Sequence, residues 1–199
     1  MTAARQDPEA RIEFRKRQIA EGAAALLRSH GYFGLSVDDL CAALKINKTT
    51  FYRYFPSKEQ LLFELHEWTL DQVEEMVREV LGRQGTCVDK LQDIIRGQIM
   101  LQQSPGMASL TIPQLSVFSR PHRRIVLKRR DEHETVYRDL IEQGITEGRF
   151  RPADSSLQTR LVLGLVQSLQ NWYRIKGGTL APADVATEVV AIVMRGLSL

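Results

Sequence analysis

The stretch KINKTTFYRYFPSKEQLL, residues 45–62, places aromatic rings, hydroxyl groups and cations within a few positions of one another. Lysine, arginine, threonine and tyrosine side chains donate the hydrogen bonds that proteins use to bind phosphate oxygens and the edges of bases. A protein core would need the rings but not the cations, and a solvated surface would need the reverse. The stretch therefore indicates a short helix with one face packed inward and the other placed on an anionic partner.

Helical geometry divides these side chains between two faces. At about 100° per residue, Phe51 and Phe55 fall on one side of the helix, and Thr49 and Arg53 fall on the opposite side. We expect the rings to anchor the helix and the outward groups to contact double-stranded DNA. The predicted base contacts are Lys48, Thr49 and Arg53, and the predicted phosphate contacts are Thr50, Tyr52, Tyr54 and Lys58. Taken alone, the stretch also fits an ordinary amphipathic helix with solvated cations.

The residues before this helix predict the element that must position it. Ser36 is a good N-cap for a short helix, with Asp39 three positions later as in a capping box. Asn47 is a good N-cap for the next helix, and residues 45–47 leave room only for a turn. Two short helices joined by such a turn form a helix-turn-helix, whose second helix enters the major groove of DNA. Ser36 and Val37, at the start of the first of these helices, complete the predicted DNA-binding set.

The rest of the chain also has the periodicity of helices. A first helix is expected from Asp7-Pro8 to His30-Gly31, and a fourth from Ser57, with Gln60 in a capping box, to Gly82. Alternating strand patterns are absent from the sequence. We predict an all-α chain with a helix-turn-helix head at 1–56 and a larger helical domain at 57–199. Further helices are expected at about 88–103, 108–118, 122–148, 154–176 and 182–197.

Residues 12–65, and above all GLSVDDLCAALKINKTTFYRYFPSKEQLL, resemble the DNA-binding head of TetR-family transcriptional regulators. The run Phe-Tyr-x-Tyr-Phe-x-Ser-Lys is the most specific part. The resemblance implies phosphate contacts from Tyr52, Tyr54 and Lys58, groove contacts from residues 48–50, and a second domain that binds a ligand and dimerises. The chain departs from the family pattern at Lys45, where glycine is usual, and we expect some backbone strain there.

The larger domain offers a candidate pocket between 91 and 141, walled by two tryptophans. Methionines and aromatic residues at helical spacing are also typical of a plain core, and that alternative stays open. The candidate ligand contacts are Trp68, Ile99, Met100, Met107, Leu110, Phe118, Tyr137 and Trp172.

Two further segments, 157–175 and 183–197, are apolar around much of their circumference and must be covered by the same chain or by a second copy. Two such helices per subunit would form a four-helix dimer interface, and a two-headed reader of a palindrome needs a two-fold partner. The candidate interface residues are Leu161, Gly164, Leu165, Ser168, Val189 and Val193.

The run SRPHRRIVLKRRDEHE, residues 119–134, is basic and then acidic. The simplest interpretation is a solvated helix face. The alternative is that Arg120, Arg123, Arg124 or Lys128 meets an anionic ligand, such as a coenzyme A phosphate. The C-terminal half, YRDLIEQGITEGRFRP with NWYRIKGGTL, resembles the subset of the family that senses acyl-CoA thioesters.

Charge and composition agree with a DNA-binding head. Residues 1–58 hold ten lysines and arginines against six aspartates and glutamates, a net +4, whereas the remainder holds 17 against 18, a net −1. The four histidines and two cysteines match no metal-binding or catalytic motif, and no phosphate loop or nucleophile elbow appears. We therefore predict no enzymatic activity, no cofactor and no metal. With no apolar span or secretory signal in the sequence, we expect a cytoplasmic, nucleoid-associated protein.

Together these observations predict a homodimeric repressor of a palindromic operator, released by a small hydrophobic or acyl-CoA-like effector. The alternative is a DNA-binding regulator, either an activator or a constitutive repressor, that has no small-molecule effector.

Overall fold

The computed structural model describes residues 8–102, 115–173 and 180–198, and these residues form helices and turns without any strand. The predicted all-α fold is therefore confirmed. The chain divides into two compact units, one made of residues 1–67 and 105–118 and the other of residues 68–104 and 119–199. We call them the first and the second unit. The functional boundary at residues 56 and 57 stays a prediction.

The first unit is built from α1 (Pro8–His30), α2 (Val37–Leu44), α3 (Lys48–Tyr54) and the first part of α4 (Lys58–Gly82), with a short 3-10 helix at Leu115–Val117. Helix α1 ends as predicted at a glycine, Gly31, whose φ of 75° is left-handed. The 3-10 helix lies within the segment 108–118, for which an α-helix is predicted. Positions 108–114 of that prediction lie outside the described residues.

Side-chain caps begin α2 and α3 at the predicted residues. Ser36 accepts a hydrogen bond from the Asp39 backbone N–H, and the Asp39 carboxylate accepts one from the Ser36 backbone N–H, which completes a capping box. Asn47 accepts a hydrogen bond of 2.7 Å from the Thr50 backbone N–H. Both N-cap predictions are confirmed. The sequence was sufficient to make them, because this chemistry depends only on residues three positions apart.

The cap of α4 is simpler than the predicted capping box. Ser57 Oγ accepts from the Gln60 backbone N–H at 3.0 Å, as expected. The Gln60 side-chain amide, however, turns along the helix and donates to Glu64 at 3.0 Å. This carboxylate also pairs with Lys16 of α1 at 2.5 Å, so Glu64 links the two helices.

One residue of the turn between α2 and α3 has a left-handed backbone conformation. Lys45 has φ 52° and ψ 45°, and it is the one non-glycine residue with positive φ in the described part of the chain. This conformation lets the Lys45 and Ile46 backbone N–H groups bond to the last carbonyls of α2. The left-handed backbone considered for Lys45 is therefore present, and we expect it to cost about 1 kcal/mol there.

The second unit contains the rest of α4 together with α5 (Cys87–Gln102), α6 (Arg120–Thr146), α7 (Ser155–Trp172) and α8 (Pro182–Leu197). Helix α5 packs against both α6 and α8, and α6 packs against α7. Each of these helices lies within a few residues of its prediction. The predicted end of α7 at residue 176 lies outside the described residues.

A turn after α6 closes this unit. Gly148 has φ 67°, and the chain then turns back so that the buried Phe150 ring lies on Gly144. A Cβ atom at Gly144 would lie 2.3 Å from Cδ2 of that ring, so only glycine leaves room for it.

An ion pair ties α4 to α6 inside the second unit. The Arg129 guanidinium donates at 2.7 Å to Asp71 and at 2.7 Å to Glu74, and the arginine side chain is largely buried. Two carboxylates on one arginine make a network, which is worth more than an isolated surface pair.

Candidate nucleic-acid interface and effector domain

Helix α3 has two faces that differ as predicted. Phe51 and Phe55 are fully buried, with ring centroids 5.8 Å apart, whereas Thr49 and Arg53 are exposed. Each buried phenylalanine removes enough apolar area from water to contribute about 2–3 kcal/mol, so the rings fix the orientation of this two-turn helix. The face of α3 that carries Thr49 and Arg53 is consequently exposed at the surface of the first unit.

The cations of this face already have partners within the chain. Lys48 pairs with Asp38 of α2 at 2.8 Å, and the hydrogen bond to Asp38 raises the pKa of Lys48. Both side chains are well exposed, so the pair contributes little to stability and a phosphate can displace the carboxylate. Arg53 donates to the Tyr54 hydroxyl at 2.9 Å and lies 4.9 Å from the centre of that ring. The stacked ring restricts the guanidinium beside the exposed face.

The neighbouring hydroxyl groups differ in exposure. Tyr52 is 49% exposed, so its hydroxyl is accessible, whereas Thr50 and Tyr54 are half-buried. Ser36 is exposed, but its hydroxyl donates to Asp39 at 2.6 Å, and Val37 is half-buried. All nine predicted DNA-binding residues lie in α3 or at the starts of α2 and α4. Their contacts with DNA stay predictions.

Lys58 has a structural role that sequence reasoning missed. Its ammonium donates to the backbone carbonyls of Tyr32 at 2.7 Å and Leu35 at 2.5 Å, and it lies 4.0 Å from the centre of the Tyr32 ring. Burial lowers the pKa of Lys58, and Asp39 partly offsets this. The lysine thus joins the first turn of α4 to the loop that precedes α2, and one N–H is left for a phosphate.

Of the eight candidate ligand contacts, five lie in the second unit, one lies in the first unit and two lie outside the described residues. Ile99 and Tyr137 are fully buried in the second unit, where Trp68 is half-buried. Phe118 belongs to the first unit, where it packs at 6.2 Å against Phe63. Met107 and Leu110 lie outside the described residues.

Two of the eight candidate contacts are exposed. Met100 is exposed because it lies on the outer side of α5, beside the buried Ile99. Trp172 is 62% exposed at the end of α7. Contact between these two side chains and a ligand stays a prediction.

A buried polar cluster in the second unit was not predicted. The Gln98 side-chain oxygen accepts from the Tyr137 hydroxyl at 2.7 Å and lies 3.1 Å from Nε2 of His133. Burial lowers the pKa of His133 to about 4, although Glu74 opposes the shift, so the ring is neutral and donates from Nε2. Burial also raises the pKa of Tyr137. The one signal in the sequence was polar residues at positions where the helical period calls for apolar ones.

The basic run forms an open groove of about 520 Å³ along α6. Arg120, Arg123 and Arg124 are exposed, and Lys128 pairs loosely with Glu132 at 3.6 Å. This placement fits a solvated face as well as an anion site. The groove is lined by Arg120, Arg123, Arg124, Leu127, Lys128, Asp131, Glu132 and Thr135.

The candidate interface residues divide between the surface and the core. On α7, Leu161 is 60% exposed, Gly164 faces open space, and Leu165 and Ser168 are half-buried. The predicted positions on α8 need a correction, since Val189 and Val193 are buried. Both valines lie on the face of α8 that forms the core of the second unit.

A different residue of α8 is left at the surface. Ile192 is 54% exposed, and on α7 Leu157 is exposed one turn before Leu161. Because α8 is apolar on several sides, its sequence pattern alone does not show which side is inside.

Within the described ranges, no group of histidine, cysteine, aspartate or glutamate side chains could hold a metal ion. Cys41 and Cys87 are both buried, and both are free thiols that form no disulfide. Among the described helices, none combines the length and apolar character needed to cross a lipid bilayer.

Two family models match the chain. The model for "Bacterial regulatory proteins, tetR family" matches residues 19–65, which include α2 and α3. The model for "Tetracyclin repressor-like, C-terminal domain" matches residues 84–197.

Individual proteins are similar over most of their length. The HTH-type transcriptional repressor KstR2 of Mycobacterium tuberculosis is 25% identical over 198 residues, with 94% of each chain covered. A structure of the ketosteroid transcriptional regulator KstR2 from that organism has a TM-score of 0.86 at 26% identity and covers 93% of this chain and 95% of its own. The nucleoid occlusion factor SlmA of Photobacterium profundum is 23% identical over 163 residues, covering 80% of this chain and 83% of its own. A structure of AibR in complex with isovaleryl coenzyme A and operator DNA has a TM-score of 0.80 at 25% identity. The match covers 89% of this chain and 97% of the AibR chain.

Proposed function

This chain belongs to the TetR family of bacterial transcriptional regulators, and from that premise we propose that it is a homodimeric repressor of a palindromic operator. Its effector would be a small hydrophobic molecule, most simply an acyl coenzyme A. When the effector binds, the dimer leaves the operator and transcription begins.

The observation that carries the DNA-binding part is the orientation of α3. The helix buries Phe51 and Phe55 and exposes Thr49, Tyr52 and Arg53. A guanidinium can bond in bidentate fashion to a guanine in the major groove, while hydroxyl groups bond to phosphates. A core helix or an enzyme surface would not need this pairing of two buried rings with exposed donors.

The apolar surface of α7 and α8 supports the dimer. Leu157, Leu161 and Ile192 are large side chains that are more than half exposed, and a Cβ added to Gly164 would meet nothing within 4 Å. A second copy of the same surface would remove these side chains from water, and Gly164 would let two α7 helices approach closely. Two-fold symmetry also places two α3 helices at half-sites about 34–36 Å apart.

The relatives support repression and an acyl coenzyme A effector. The KstR2 proteins are named as repressors, and AibR has been crystallised with isovaleryl coenzyme A and operator DNA. Helix α4 supplies residues to both units, so it is the element through which an effector in the second unit can act on the first. For such a switch, the free energy of effector binding must differ by about 1–3 kcal/mol between the operator-bound dimer and the dimer free of DNA.

A binding selection tests the proposal. The purified chain is mixed with duplex fragments from promoter regions, and the bound fragments are sequenced and then challenged with isovaleryl coenzyme A. We expect enrichment of a palindromic site and its release by the coenzyme A ester but not by coenzyme A alone. Selection without any enriched sequence would contradict the operator-binding proposal.

A second candidate, a DNA-binding protein without a small-molecule effector, is favoured by the similarity to the nucleoid occlusion factor SlmA. In that case the selected sites would be bound equally well with and without metabolite extract.

A further inference from the structure

One buried side chain of the second unit is left without hydrogen bonds. Gln102, the last residue of α5, is 6% exposed, and neither Nε2 nor Oε1 of its amide bonds to any described residue. A buried amide without partners normally costs about 1–3 kcal/mol. Groups of this kind are uncommon in folded proteins and require a physical explanation.

The preceding turn of the same helix shows how this core satisfies an amide. Gln98 is equally buried at 6% exposure, and its oxygen receives hydrogen bonds from Tyr137 and His133. Gln102 lies four positions later, so it occupies the same face of α5 one turn further on. The buried face of α5 therefore carries one amide that has hydrogen-bond partners, Gln98, and one that has none among the described residues, Gln102. The other buried side chains near them, Ile95 and Ile99, are apolar.

We propose that Gln102 is a hydrogen-bonding contact of the effector, and that its amide bonds to the thioester or pantetheine groups of an acyl coenzyme A. This assignment rests on the function proposed above. A primary amide offers two N–H donors and a carbonyl acceptor. The pantetheine arm carries amide N–H and carbonyl groups and ends in the thioester carbonyl, so it can bond to both atoms of Gln102. The aliphatic end of the acyl chain needs only apolar surface.

The same geometry makes Gln102 a determinant of specificity. A hydrocarbon of equal size would leave the Gln102 amide without a hydrogen-bond partner in the complex. An ester with a carbonyl at this position would remove that cost on binding. Sites built around a buried polar group reject ligands that lack the matching group more strongly than apolar pockets reject a change of size.

Paired substitutions test this assignment with the full chain. Gln102→Met keeps the length of the side chain and removes its hydrogen-bonding groups. Gln98→Met makes the same change at the amide that already has hydrogen-bond partners. Thermal unfolding without ligand and calorimetric titration with isovaleryl coenzyme A are measured for both variants and the wild type. We expect Gln102→Met to unfold at a higher temperature and to bind the ester about tenfold more weakly, which corresponds to one lost hydrogen bond. Gln98→Met should unfold at a lower temperature, because Tyr137 and His133 lose their acceptor.

Three results would overturn the assignment. A lower unfolding temperature for Gln102→Met would mean that its amide is already bonded in the ligand-free protein, for instance by water. Equal affinity of wild type and Gln102→Met for isovaleryl coenzyme A would remove Gln102 from the effector site while leaving the proposed function intact. A wild-type chain that binds operator DNA but no isovaleryl coenzyme A would refute the effector class, and the Gln102 assignment with it.

Discussion

Arg53 is one of the three residues of α3, with Lys48 and Thr49, that we predict to contact bases. Its guanidinium is exposed and is restrained by the Tyr54 ring and hydroxyl. We expect Arg53→Ala to relax the preference at one position of each half-site, at a cost of about 1–3 kcal/mol if the contact is bidentate. Site selection with the variant measures this. A matched control is Arg17→Ala, which removes an exposed arginine from α1, and an unchanged preference in both variants would show that Arg53 does not read bases.

Two measurements on a Lys58 variant distinguish the structural role of this lysine from a contact with phosphate. Because its ammonium bonds to the Tyr32 and Leu35 carbonyls, we expect Lys58→Met to lower the free energy of unfolding by about 2 kcal/mol. Because one ammonium N–H is left for a phosphate, we also expect the slope of the salt dependence of DNA affinity to fall by about one. Denaturant unfolding and binding at several salt concentrations give the two quantities. An unchanged slope would show that Lys58 makes no phosphate contact.

His133 makes the stability of the second unit depend on pH. Burial lowers its pKa from 6.5 to about 4, so the unfolded chain binds the proton more readily than the folded chain does. The stabilisation is complete above the unfolded pKa and is lost as the pH falls through 6.5 towards 4. Between pH 7 and pH 5 we expect the free energy of unfolding to fall by about 2 kcal/mol through this residue. His133→Gln, which stays neutral, should lose that part of the pH dependence. An identical pH profile in the variant would contradict the buried neutral ring.

At the scale of elements, the turn between α2 and α3 sets the angle between these two helices. Lys45 adopts a left-handed conformation there that glycine adopts without strain. We expect Lys45→Gly to stabilise the chain by about 1 kcal/mol, which raises the unfolding midpoint by about 2–4 °C. Lys45→Ala removes the same charge but keeps the Cβ atom, so it should bring no such gain. Thermal scans of the two variants make the comparison, and equal midpoints would show that the backbone is unstrained.

Local chemistry explains which elements could be predicted from the sequence. The caps at Ser36 and Asn47 and the two faces of α3 depend on residues a few positions apart, and each was predicted correctly. The inward side of α8 was predicted less well, because Val189 and Ile192 are equally apolar and only packing against α5 decides which is buried. The Gln98 cluster depends on contacts 35 and 39 positions away, which no local pattern records.

At the scale of the whole molecule, the proposed dimer depends on the exposed apolar face of α7 and α8. Leu161→Glu places a charge on that face, at a leucine that is 60% exposed. We expect the variant to sediment as a monomer and to lose operator affinity, because one head alone contacts one half-site. Leu180→Glu, an exposed leucine just outside both helices, serves as the control. A Leu161→Glu chain that remains a dimer would move the interface elsewhere.

The most direct test of the central claim is the affinity of the purified full chain for a duplex promoter fragment, measured over a series of salt concentrations. If the exposed donors of α3 lie against the phosphates and bases of DNA, the logarithm of the association constant will fall linearly as the logarithm of salt concentration rises. Affinity that is absent at every salt concentration, or that does not change with salt, would contradict the account.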